Sequence, residues 1–157
     1  MEKENMSTET LLQLKPDPAL RRLDVFVGKW ELRGRTLDTA EDNITGRVNF
    51  EWLPGGFFLQ ATGEIDFMGT KVQSLEIPGY EPDTHVFPAN VYSNLDGKVT
   101  QYYWDIQGNT ITHWTEGSKY TGTLSADGNT LSGGWRPQEG SEGSPGSTYD
   151  AVMTRVN

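Results

Sequence analysis

There is no cysteine in the 157-residue sequence, which excludes disulfides, thiolate nucleophiles and thiolate-held metals. Histidine is scarce too. Only His85 and His113 are present, and two histidines without a thiol make a zinc centre a poor expectation. No stretch approaches the ~20 apolar residues that cross a bilayer as a helix. The opening MEKENMSTET lacks the apolar core of a signal peptide, so a cytoplasmic protein without membrane contact is expected. Positive charge is in short supply: 13 Lys plus Arg stand against 22 Asp plus Glu, leaving a net charge of −9. That balance repels phosphate backbones and anionic lipid, so nucleic acid is not an expected partner. The glycosylation triplet NIT at 43–45 has meaning only in a secreted chain. G-x-S-x-G, H-E-x-x-H, G-x-x-x-x-G-K-[ST] and G-x-G-x-x-G are all missing, so standard hydrolase, zincin and nucleotide chemistry lack their residues.

What is present is aromatic. Apolar residues make up only 34% of the chain, yet 11% are Phe, Trp or Tyr and they recur along its whole length, which separates it from disordered sequences. The length suits one domain with one core. Residues 1–15 are polar and aperiodic and read as a flexible N-terminus, with a single domain over 16–157. In PDPALRRLDVFVGKW, Asp17 is placed to cap a short helix starting at Pro18, and Leu20, Leu23, Phe26 and Val27 keep helical spacing. Gly28 is expected to end it, since glycine takes positive φ at no steric cost.

From Trp30 the pattern becomes short runs rich in Val, Ile, Thr and aromatics, bounded by turn residues. Strands are predicted over 29–37, 44–53, 56–67, 70–77, 85–93, 98–106, 109–116, 119–125, 130–136 and 147–156. The turns between several of them are short and contain glycine, as in PGG, MGT, LDGK, QGN, EGSK and ADGN. Short turns imply antiparallel neighbours. A flat meander of this size would leave two long unpaired edges, and closure removes them. The predicted fold is therefore all-β, a single antiparallel up-and-down barrel of eight to ten strands with one short helix; a two-sheet sandwich is the competing architecture. RPQEGSEGSPGS, 136–147, has no apolar residue and reads as a surface loop, with a lid over the barrel mouth as its functional alternative.

The helix, the Gly28-Lys29-Trp30 entry to the first strand, the meander and Arg155 in the last strand together resemble the calycin group, which includes lipocalins and fatty-acid-binding proteins. That resemblance implies a barrel whose closed end is plugged by Trp30 with the Arg155 guanidinium against it, Gly28 completing the junction. LRRLDVFVGKWELRG, FEWLPGGFFLQATGEI, IPGYEPDTHVF and VYSNLDGKVTQYYWD are similar to an uncharacterised bacterial lipocalin-like family, which implies a pocket but no reaction. Glu81 stands where that family has Asp. The nitrobindin branch of calycins, which the chain also resembles at a distance, holds heme through a histidine on a late strand. The matching stretch here, STYDAVMTRVN, has none, and offers only Tyr149 to iron. No cofactor is expected.

Alternation along a strand gives each run one face towards the lumen. In FFLQATGEIDF, Phe57, Leu59, Ala61, Ile65 and Phe67 share one face, and Phe58, Gln60, Thr62, Glu64 and Asp66 the other; which face points inward is left open. Tyr102, Trp104 and His113 fall within cross-strand reach through the QGN turn. The candidate ligand-lining residues are Phe58, Tyr92, Tyr102, Trp104, His113 and Tyr149, although such rings also serve simply to fill a core. His113 is a candidate acid or base because imidazole titrates near neutrality, with Glu64 and Asp105 as candidate carboxylates. The function expected is binding of a small hydrophobic or aromatic ligand in the barrel, with a cofactor-free cyclase or isomerase using the same pocket as the alternative. A homodimer is compatible with either.

Overall fold

The computed structural model describes residues 14–141 and 148–156; the expectations for 1–13 and for 142–147, the second half of the 136–147 loop, fall outside them. A short 3₁₀ helix, Pro18–Phe26, is followed by ten strands: β1 (Gly28–Thr36), β2 (Ile44–Trp52), β3 (Leu59–Phe67), β4 (Thr70–Pro78), β5 (Phe87–Ser93), β6 (Thr100–Gln107), β7 (Thr110–Trp114), β8 (Ser118–Leu124), β9 (Thr130–Pro137) and β10 (Tyr149–Val156). Each strand pairs antiparallel with its sequence neighbours. β1 closes the barrel on β10, from Lys29 opposite Val156 to Thr36 opposite Tyr149. Closure leaves no strand edge exposed. No described helix is long and apolar enough to cross a membrane.

The third strand begins three residues later than the sequence suggests. Gly55 and Gly56 both have positive φ, 98° and 76°, so the turn after β2 runs on through Phe58 before the chain becomes extended. In β3 it is the Leu59, Ala61, Ile65 face that points inward, as the burial of Leu59 and Ala61 shows.

One end of the barrel is plugged by the helix. Asp17 caps it by accepting from Ala19 N at 2.9 Å, and Leu20, Leu23 and Phe26 are buried in the barrel core. The plug is tied at several points. Arg22 donates to Asp105 Oδ1 at 3.1 Å and to the Ile106 carbonyl, with its guanidinium over the Phe87 ring. Trp52 Nε1 donates to Asp24 Oδ1 at 2.7 Å. Trp30 Nε1 donates to the Phe26 carbonyl at 2.8 Å. The Arg155 guanidinium lies 4.2 Å from the Trp30 ring centroid and donates to the carbonyls of Val25, Val27 and Gly128. It thereby joins β10, the helix and the β8–β9 turn, with a cation–π contact at the centre. Gly28 has φ 125°, and a Cβ there would come within 2.8 Å of the Arg155 guanidinium. Its lack of a side chain is thus needed twice over.

Burial changes along the barrel axis. Inward residues towards the plugged end, among them Trp30, Phe50, Leu59, Phe87, Ile111 and Leu131, are buried. Farther along, the inward Leu32, Ile65, Val72, Tyr102 and Trp135 are only half-buried, while Ile44 and Ala151 near the far end are buried again. A side chain inside a closed barrel keeps accessible surface only where the lumen is not filled. The half-buried inward side chains thus lie mostly beyond the layer that packs on the helix.

Candidate functional site

The register places one aromatic ring at the inward position of six successive strands. Phe87 on β5 stands opposite Trp104 on β6, which faces His113 on β7, then Tyr120 on β8, Trp135 on β9 and Tyr149 on β10. Strand tilt carries this row from the plugged end at Phe87 to the open end at Tyr149. The wall formed by β1 to β4 mixes small groups at inward positions, including Gly34, Gly46, Gly63 and Ser74, with aliphatic side chains and with Phe67, whose ring meets Tyr149 at 5.2 Å. Gly63 and Ser74 meet closely, since a Cβ on Gly63 would lie 2.9 Å from Ser74 Oγ. An aromatic wall therefore faces one of mixed aliphatic and small residues.

His113 sits in the middle of the row. Its ring stacks on Trp104 at 3.6 Å with an 11° interplanar angle, and Tyr102 and Trp135 lie at 5.1 and 5.2 Å. Trp104 in turn rests on Phe26 of the plug at 5.0 Å. Glu76, an inward residue of β4, brings its carboxylate to the pair: Oε2 lies 2.8 Å from His113 Nε2 and 2.8 Å from Trp104 Nε1. The His113 and Glu76 side chains are each only 12% exposed. A carboxylate only accepts, so Nε2 carries a proton, and in the neutral form of the ring the lone pair is on Nδ1.

Three phenols stand around this pair. Burial, then the charges of Glu76 and Asp96, raise the Tyr102 pKa above its ordinary value. Burial and the neighbouring Tyr149 raise that of Tyr120, while burial and the neighbouring Tyr102 raise that of Tyr149. All three stay protonated and able to donate. Among the described residues none pairs with these hydroxyls, and Ser118 Oγ is a buried side-chain oxygen without a partner. Ser118 lies on the Tyr120 face of β8.

Several sequence candidates are placed elsewhere. Phe58 lies in the turn at the plugged end, 50% exposed and packed on Gly79, and so does not line the lumen. Tyr92 is 43% exposed, opposite Leu75 on the outer wall, because β5 turns Val91 and Ser93 inward instead. Glu64 is an exposed outer-wall residue of β3. Asp105 is also on the outer wall, where it holds Arg22. Tyr102, Trp104, His113 and Tyr149 do turn inward. Glu76, Tyr120 and Trp135 were not singled out from the sequence. Alternation could have found Tyr120 and Trp135 once the register was known, but Glu76 is flanked by Leu75 and Ile77, which hide it. Among the described residues no three acidic or histidine side chains group as metal ligands.

Comparison with known proteins adds a family and a distant structural likeness. A family model described as "Protein of unknown function (DUF1579)" matches residues 15–136. No curated protein matches. A solved structure, "Crystal Structure of Rv2717c from M. tuberculosis", is similar at 16% identity with a TM-score of 0.48, covering 91% of this chain and 100% of that one.

Proposed function

Since the chain belongs to the DUF1579 family, whose description names no activity, we propose from the site alone that it binds a small, largely apolar, uncharged molecule in the open half of the barrel. The observation that carries this reading is the accessible surface left on Tyr102, His113, Trp135 and Tyr149 inside a closed barrel. A barrel serving only as an interaction module would fill that space with its own side chains. The ligand is flat, because the aromatic wall offers ring faces to stack on. It is uncharged, because Glu76 repels anions while its Oε2 is already engaged by Trp104 Nε1 and His113 Nε2 instead of standing free for a cation. It carries a hydrogen-bond acceptor for those hydroxyls. Burying ~300 Å² of ligand surface at ~25 cal/mol/Å² gives roughly 7 kcal/mol before the entropic costs of association, which places affinity at micromolar or weaker. This is the manner of ligand holding known in the lipocalin-like barrels that the sequence resembles.

The test is titration with the uncharged fluorophore N-phenyl-1-naphthylamine, followed by its emission and by quenching of tryptophan. Saturable micromolar binding, weakened at least tenfold by Trp135→Ala with the fold kept by circular dichroism, is expected. No binding to the wild-type chain, or binding untouched by Trp135→Ala, would sink the reading. A cofactor-free isomerase or cyclase in the same pocket is the second reading, and the contact between His113 and Glu76 favours it.

A further inference from the structure

We propose that His113 and Glu76 form a proton-transfer dyad whose substrate is a neutral, enolisable carbonyl compound, a flat ketone or lactone. This rests on the pocket reading above and goes beyond it in assigning a reaction. Its first ground is a reversal in β4. Leu75 and Ile77 face outward while Ser74 and Glu76 face the lumen, as their pairing with Tyr92, Asn90, Gly63 and Ala61 fixes. Turning a carboxylate in and two aliphatic side chains out opposes the usual preference for apolar burial. A position that breaks a local rule in this way is where function is expected.

The second ground is geometry. Glu76 Oε2 is held from two sides, by Trp104 Nε1 and His113 Nε2, both at 2.8 Å. The imidazole is held in turn by that contact and by the 3.6 Å stack on Trp104. Its orientation is set, and in the neutral form of the ring Nδ1 is left as a base with no partner among the described residues. Glu76 is a positioning residue here. It also stabilises the imidazolium formed when Nδ1 takes a proton, as does the Trp104 face beneath it.

The third ground is the donors. Tyr102 lies 5.1 Å from His113 by ring centroids, and Tyr120 and Tyr149 follow on the same wall. A base beside unpaired hydroxyls in an apolar box is the equipment for enolisation. His113 Nδ1 takes the proton on the carbon next to the carbonyl. The C–H electron pair becomes the C=C bond of the enolate, the carbonyl π pair moves to oxygen, and a tyrosine hydroxyl donates to that oxygen. The imidazolium then returns its proton to the same carbon, or to the far carbon of a conjugated system, which is isomerisation. No other reactant is consumed.

The experiment uses 2-tetralone in D₂O, with loss of its α-proton signals followed by NMR and its affinity read separately by displacement of N-phenyl-1-naphthylamine. Saturable exchange at least about 100-fold above buffer is expected. His113→Gln should remove that excess, and Glu76→Gln should lower the saturated rate about tenfold or more, each with affinity within threefold of wild type. Glu64→Gln, on the outer wall, should change neither. Tetralone that binds without exchange, or exchange that survives His113→Gln, overturns the dyad. Tetralone that fails to displace a bound fluorophore overturns the substrate class and leaves the pocket standing, whereas a fluorophore that never binds removes the pocket itself. Should a variant not fold, ¹⁵N NMR of the wild-type histidines decides: a proton on Nε2 of His113 agrees, and one on Nδ1 overturns the assignment.

Discussion

At the scale of single residues, the tyrosines of the open half link the site to stability. The Tyr102, Tyr120 and Tyr149 phenols are all pushed above their ordinary value of 10.0, chiefly by burial. A phenol with a raised folded pKa keeps its proton in the folded chain when the unfolded chain has begun to release it. The stability it contributes is whole below about pH 10 and declines as pH climbs past that value towards the folded pKa, by about 1.4 kcal/mol per pH unit for each fully shifted group. Urea midpoints measured between pH 8 and 11 should therefore hold steady and then fall. In Tyr149→Phe the alkaline fall should be shallower than in wild type, and identical slopes would show that the phenol is not its source.

At the scale of elements, the strands owe their close approach to glycines facing one another. Gly133 of β9 stands opposite Gly122 of β8. A Cβ on Gly133 would strike the Thr121 carbonyl oxygen and lie 2.6 Å from Gly122 Cα. Since these neighbours are backbone, the strands themselves must part, and Gly133→Ala should cost about 3 kcal/mol in urea unfolding. A loss under 0.5 kcal/mol would mean that the barrel yields easily there. The same elements show what the sequence could and could not disclose. Turn glycines and aromatic runs placed all ten strands, because local chemistry sets where a strand stops. Facing is another matter, since it depends on a register decided by partners far along the chain. β3 illustrates the easy case, with an apolar face that is also the inner one. β4 illustrates the hard case: Leu75 and Ile77 point away from the lumen, so periodicity hides Glu76 and draws attention to Glu64 and Asp105. Phe58 was misplaced for a third reason, a double-glycine turn that delays the strand.

At the scale of the whole molecule, the defining fact is that β1 pairs with β10. Contacts between distant segments must form before the barrel closes, and chains dominated by such pairings fold in milliseconds to seconds. Stopped-flow dilution from urea, followed by tryptophan emission, should show refolding in that range; completion within microseconds would contradict it. The seam also bears on how the protein is made. From Thr36 to Val156, the ends of the first and last strands, is 120 residues. At about 5–20 residues per second a ribosome needs on the order of 6–24 s to supply the missing partner. Throughout that interval the first strand is tethered to a translating ribosome among many others, its backbone groups open to any passing nascent chain. Its outward positions are Lys29, Glu31, Arg33 and Arg35, an unbroken run of charges on the strand that waits longest. Those four side chains are gatekeepers of biosynthesis, discouraging polysome neighbours from annealing before the rightful partner has been translated.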